Sequence, residues 1–178
     1  VFGVRGLRVF TIAAALLMAY PAFAAPWTPQ PPMPAAASLT PAVCERVVDG
    51  DTAWFQVVED GVPVTHKVRF LNIDTPETVH PDMPQQPGGK EASDYVTLAI
   101  EGKAVFLEYD ERRTDRYGRR LCHVWLEDGT LLNLRLVRLG YASVLVIRPN
   151  VRYQAFFLAA QDAAQREGLG VWRLEAAR

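Results

Sequence analysis

The sequence predicts a mainly β fold of the α+β class, a five-stranded barrel carrying three helices, in one domain over residues 43–173. Three observations predict it. Short alternating apolar stretches recur between turn signals from Val43 onward. The first three of them follow one another directly, as in a meander, before any helix intervenes. Three later stretches carry apolar residues at helical spacing and each is closed by glycine. With 178 residues, 49% of them hydrophobic, the chain can build one core but not two large ones.

The elements follow in order. Arg5 and Arg8 precede an uncharged run from Val9 to Tyr20 and an Ala22-Phe23-Ala24 cleavage pattern. This predicts a secretory signal peptide over residues 1–24, too short in its apolar part to span a membrane. Residues 26–41 hold six prolines, so 25–42 is expected to be a disordered linker. Cys44 to Val48, Ala53 to Val58 and Val64 to Ile73 read as strands, separated by Asp49-Gly50-Asp51-Thr52 and Glu59-Asp60-Gly61. If the third strand runs through Ile73, Phe70 and Asn72 point one way and Arg69, Leu71 and Ile73 the other. Val79 to Gly89 is a Pro- and Gly-containing loop. Lys90 to Ile100 repeats its apolar residues at helical spacing and stops at Gly102. Ala104 to Tyr109 and Leu121 to Leu126 alternate as strands around a charged loop, Asp110 to Gly118. Leu131 to Leu139 is a short helix stopped by Gly140, Ala142 to Ile147 is extended, and Val151 to Glu167 is the last helix, ended by Gly168 and Gly170. Five strands with three helices suggest an OB-like barrel.

Three fragments concentrate charge at turns: Asp49-Gly50-Asp51-Thr52, then Arg69 to Glu77, then Arg113-Thr114-Asp115-Arg116-Tyr117-Gly118-Arg119. Acids that suit a hard cation and arginines that suit a phosphate would complement one another around a phosphodiester. With Leu136-Val137-Arg138…Gly140 and Arg148-Pro149-Asn150, these fragments occur in an order and spacing that strongly resemble the staphylococcal nuclease (thermonuclease) family, over roughly Val43 to Trp172.

The resemblance implies an OB-fold nuclease that uses Ca²⁺ to hydrolyse phosphodiester bonds of DNA and RNA without strong sequence specificity. Carried over by position, Asp51 and Asp74 are metal carboxylates and the backbone carbonyl of Thr75 is a third ligand. Glu77 is a water-mediated acid and the general base, Arg69 and Arg119 clamp the scissile phosphate, and Arg116 and Tyr117 contact a neighbouring phosphate. The sequence departs from the family at Leu145-Val146-Ile147, where the type member carries tyrosines that line the nucleotide pocket.

Asp49 reads as a turn-former through its own side chain, Asp115 receives no role, and His66, His80 and His123 sit at no ligand spacing. Residues 1–24 contain two Arg and no acid, so without them 17 of the 19 basic residues remain against 20 acids, a net charge of -3. Nucleic-acid binding must then come from a local patch. The expected partners are DNA and RNA, preferably single-stranded, met by a monomer that is secreted or periplasmic and has no stable membrane insertion after signal cleavage. The rival reading is a non-catalytic OB-fold module that binds nucleic acid. Cys44 and Cys122 read either as a disulfide pair, if export to an oxidising compartment and closure of the barrel bring their strands together, or as two small buried apolar sites.

Overall fold

The computed structural model describes residues 29–77 and 86–176. The expected signal peptide, the linker as far as Thr28, and residues 78–85 of the expected loop lie outside them. Five strands close a barrel in the order β1 (Thr40–Asp49), β2 (Thr52–Glu59), β3 (Val62–Phe70), β6 (Arg120–Trp125) and β5 (Ala104–Thr114), with β5 returning to β1. All neighbours run antiparallel except β3 and β6. Alternation along β2 sends Ala53, Phe55 and Val57 inward, and Val68 and Phe70 of β3 and Cys122 and Val124 of β6 join them in the core. The barrel is the OB fold that the strand pattern suggests.

Among the described residues four α-helices accompany the barrel where three were expected: α1 (Gly89–Ile100), α2 (Leu132–Arg138), α3 (Gln154–Arg166) and α4 (Val171–Ala176). Ala92, Val96 and Ile100 of α1 repeat every fourth residue and are buried. Nearly all of α2 is buried, so it is a core helix rather than an amphipathic cover. The short α4 escapes periodicity arguments because six residues make fewer than two turns. It is held by backbone contact instead: Val171 N–H donates to Gly140 O at 2.9 Å. Gly140 (φ 75°) and Gly170 touch back to back, and a Cβ built on Gly140 would stand 2.3 Å from Leu169 O.

Four further readings change. The segment Arg69 to Ile73 is not one strand. Asn72 has φ 65°, so the chain turns at Leu71-Asn72 and resumes as β4 (Ile73–Asp74), which pairs with β7 (Ser143–Val144) in a second small sheet. The strand β5 continues to Thr114, through most of the expected charged loop. The first strand opens at Thr40, inside the expected linker, and the residues before it lie on the barrel. Pro31 is buried, Met33 and Leu39 pack on the core, and the Gln30 amide donates to Gly129 O and accepts from Leu131 N–H. Cys44 and Cys122 are both free and buried, so the disulfide is not formed. Among the described residues no helix is long and apolar enough to cross a membrane.

Candidate active site

The β1–β2 turn presents Asp51. Asp49 Oδ1 accepts the Asp51 N–H at 3.0 Å, the side-chain turn expected of it. Asp51 is 6% exposed and its carboxylate is fully engaged: Oδ1 accepts from Thr52 Oγ1, and Oδ2 from the N–H and hydroxyl of Thr75. The turn needs Gly50 for this approach. A Cβ there would fall 2.8 Å from the Thr75 methyl and 3.0 Å from Ala92 Cβ.

The break after β3 brings Asp74 to the same place. Arg69 Nη1 donates to Phe70 O at 3.0 Å and to Ile73 O at 2.9 Å, closing the turn upon itself. Its Nη2 lies 2.9 Å from Asp74 Oδ1 and 3.1 Å from Asp51 Oδ2. Two carboxylates from separate elements therefore meet at one nitrogen. Buried Asn133 on α2 braces the turn, donating to Leu71 O and Cys122 O while accepting from Val124 N–H. The crowding of acid is visible in their titration. Burial, then the charge of Asp51, pushes Asp49 up to about 6. Burial also raises Asp74, with Asp51 and Glu77 adding to it and Arg69 opposing. A cation placed among them would relieve this.

The opposite wall is the turn between β5 and β6. Asp115 Oδ1 accepts the N–H groups of Tyr117 and Arg119, both at 2.9 Å, and Oδ2 accepts Arg119 Nε–H at 2.7 Å. Burial acts to raise the Asp115 carboxyl, but the hydrogen bonds from Arg119 and Tyr117 outweigh it and hold the group below its ordinary value. Asp115 thus holds the Arg119 guanidinium through Nε. Tyr117 is 67% exposed and its ring is flanked by the guanidinium groups of Arg116 at 4.7 Å and Arg119 at 5.6 Å. Sequence reasoning missed Asp115, although an acid two and four residues before N–H groups at a Gly-containing turn is itself a turn signal.

Two cavities meet along this surface. One, of about 250 Å³, is lined by Asp49, Asp51, Arg69, Asp74, Thr75, Glu77 and Arg119, among others. The second, of about 390 Å³, is lined by Arg112, Arg116, Tyr117, Leu145, Ile147 and Asn150, among others. Arg69 and Arg119 line both. The structure thus gathers Arg69, Glu77, Arg119, Asp51, Asp74 and Thr75 in one cavity and sets Arg116 and Tyr117 in its neighbour. Among the described residues no three His, Cys, Asp or Glu side chains form a ready-made metal cluster. The groups that could hold a cation here, the Asp51 and Asp74 carboxylates and backbone oxygen at Thr75, are all hard oxygen donors. That suits Ca²⁺, which tolerates a partial protein shell completed by water and substrate, better than a metal that needs nitrogen or sulfur.

The profile of the family described as staphylococcal nuclease homologue matches residues 67–174. The thermonuclease of Staphylococcus hyicus is 41% identical over 127 residues, which covers 71% of this chain and 72% of that protein. The thermonuclease of Staphylococcus intermedius is 39% identical over 128 residues, or 72% of this chain and 73% of that one. Endonuclease YhcR of Bacillus subtilis is 38% identical over 151 residues, 80% of this chain but 12% of that much longer protein. With the barrel, the paired acids and the opposed arginines in place, the chain belongs to the staphylococcal nuclease homologue family.

Proposed function

We propose that this nuclease is Ca²⁺-dependent and hydrolyses phosphodiester bonds of DNA and RNA, preferring single strands, as an exported monomer. The observation that carries the reading is the meeting of Asp51 and Asp74 at Arg69 Nη2, in one cavity with Glu77 and Arg119. In this reading Asp51, Asp74 and the carbonyl of Thr75 hold the cation. Bound there, Ca²⁺ would supply Lewis-acid polarisation of a phosphoryl oxygen.

The chain's own groups do the rest. Glu77 takes a proton from a water whose oxygen attacks phosphorus, while the P–O bond to the leaving sugar oxygen breaks and that oxygen acquires a proton. Negative charge builds on the phosphoryl oxygens, and Arg69 and Arg119 donate to them from opposite sides. Arg119 is pre-aimed by Asp115, so little reorganisation is needed as that charge develops. Arg116 and Tyr117 meet the adjoining phosphate in the second cavity. Reading phosphate rather than base edges makes the specificity broad.

The test is cleavage of a labelled single strand of DNA, and of RNA, across a Ca²⁺ titration and in excess chelator. Turnover that rises with Ca²⁺ and vanishes with chelator is expected. Undiminished turnover in chelator would overturn the metal assignment, and binding without turnover at any Ca²⁺ concentration would favour a module that only binds.

A further inference from the structure

Thr52 and Arg69 face one another across β2 and β3, in the lining of the acidic cavity. Two residues farther along both strands, Trp54 faces Lys67. Strand alternation puts this pair on the same side of the sheet as Thr52 and Arg69. The intervening pair, Ala53 and Val68, is fully buried in the barrel, so the side in question is the outside. On the other flank of Trp54 stands Arg46 of β1. The outer surface therefore carries a row Arg46–Trp54–Lys67 across three strands, about 7 Å from the row that contains Arg69.

The chemistry of this row differs from its surroundings. The Lys67 ammonium lies 5.9 Å from the centre of the Trp54 ring. Arg46 and Lys67 enter no ion pair among the described residues, whereas Arg69, Arg119, Arg120, Arg138 and Arg152 all do. The next row outward returns to acid: Glu45 accepts hydrogen bonds from Gln56 and Thr65. A half-buried Trp54 ring, with Lys67 against it and Arg46 on its other flank, thus stands one row from the Thr52–Arg69 pair that lines the acidic cavity.

We infer that this row is a further subsite for the substrate strand, in which a base stacks at Trp54 while Arg46 and Lys67 meet its flanking phosphates. Charge complementarity selects a polyanion, and continuity with the cavity selects the strand already held there. A half-buried ring on the outer side of the barrel can meet an unpaired base, whereas bases in a duplex are already stacked, so the occupant is a single strand. The assignment rests on the nuclease reading above.

The experiment compares a dinucleotide with a single strand of roughly ten nucleotides, a length within the span one such barrel covers. Trp54→Ala should raise KM for the longer strand about ten-fold and leave the dinucleotide unchanged. The double variant Arg46→Gln/Lys67→Gln, both on the barrel exterior, guards against misfolding of the first. It should lower the salt slope of log kcat/KM for the longer strand by about 0.7 for each phosphate contact removed. Equal effects on both lengths, or none in the double variant, would overturn the subsite. Fluorescence anisotropy of the labelled longer strand reads the row without turnover. Binding that depends on Trp54 in a protein with no nuclease activity would overturn the catalytic reading and leave the subsite standing. Trp54-dependent binding that is equally tight for a duplex would overturn the single-strand assignment.

Discussion

Arg69 and Arg119, the two arginines proposed to clamp the phosphate, are not equivalent side chains. Arg119 is held through Nε, which donates to Asp115, and lies beside the Tyr117 ring. Arg69 spends Nη1 on two backbone carbonyls that shape the β3–β4 turn. The sequence alone suggests that Lys at either place should behave alike, but the structure separates them. Arg119→Lys should keep the melting temperature and lower kcat roughly 10²–10³-fold, the usual effect of losing one preorganised donor. Arg69→Lys should lower kcat and also the melting temperature, since one ammonium cannot reach both carbonyls and the acids. Parallel kinetics and thermal melts check this, and an unchanged melting temperature in Arg69→Lys would remove its structural share. Asp115→Asn leaves Oδ1 to cap the turn but turns an N–H toward Arg119 Nε. It should reduce kcat more than it changes KM, as expected of a group that aims another; a change confined to KM would count against that role.

At the scale of elements, the second cavity has a wall without aromatic rings. Leu145 and Ile147 are 41% and 60% exposed, so they stand outside the core and can be enlarged without overpacking it. Tyr at both positions should lower KM for single-stranded DNA more than it alters kcat, because stacking adds roughly 1–3 kcal/mol per base. Urea denaturation measured alongside should show little change in stability, and a large loss would place these residues in the fold after all. Gly140→Ala acts elsewhere. It forces a methyl against Leu169 O at a left-handed backbone position, and should destabilise by roughly 2–4 kcal/mol as α4 is pushed away. Near-wild-type stability in urea would show that the docking of α4 contributes little. Most elements were legible because alternation and helical spacing follow burial, as in Ala53, Phe55 and Val57 or Ala92, Val96 and Ile100. The break at Asn72 was not, since four successive residues from Phe70 to Ile73 are buried and hide the turn in an apolar run. Nor was the docking of residues 29–39, where proline content speaks only of backbone stiffness. The site was legible as residue types in order; the service of Asp115 to Arg119, and the convergence of two acids on Arg69, needed tertiary geometry.

For the whole molecule, buried His123 sets a limit toward acid. Among the described residues neither ring nitrogen has a hydrogen-bond partner, and the ring packs between Tyr153 and Phe157. Burial, then the charge of Arg152, lowers its pKa to about 3. The unfolded chain would bind this proton below about 6.5, so stability contributed by the neutral ring is lost as pH falls from there toward 3. The slope approaches about 1.4 kcal/mol per pH unit in that window. Asp49 and Asp74, both raised, work in the opposite direction, so the comparison with His123→Leu is what isolates the ring. Melts at pH 7 and pH 4.5 (about neutral and midway through the window) should show a smaller loss for His123→Leu, and equal losses would overturn this account.

The two thiols have a consequence at the same scale. Burial pushes Cys44 up to about 12 and Cys122 higher still, so neither is a thiolate near neutrality, and neither is reachable. Assembly of this barrel then asks nothing of its redox surroundings. The domain can mature without an oxidase or isomerase, on either side of a membrane, and a reductant that dismantles cross-linked neighbours would leave its melting curve where it was. A nuclease built this way is indifferent to the redox state of the compartment that receives it.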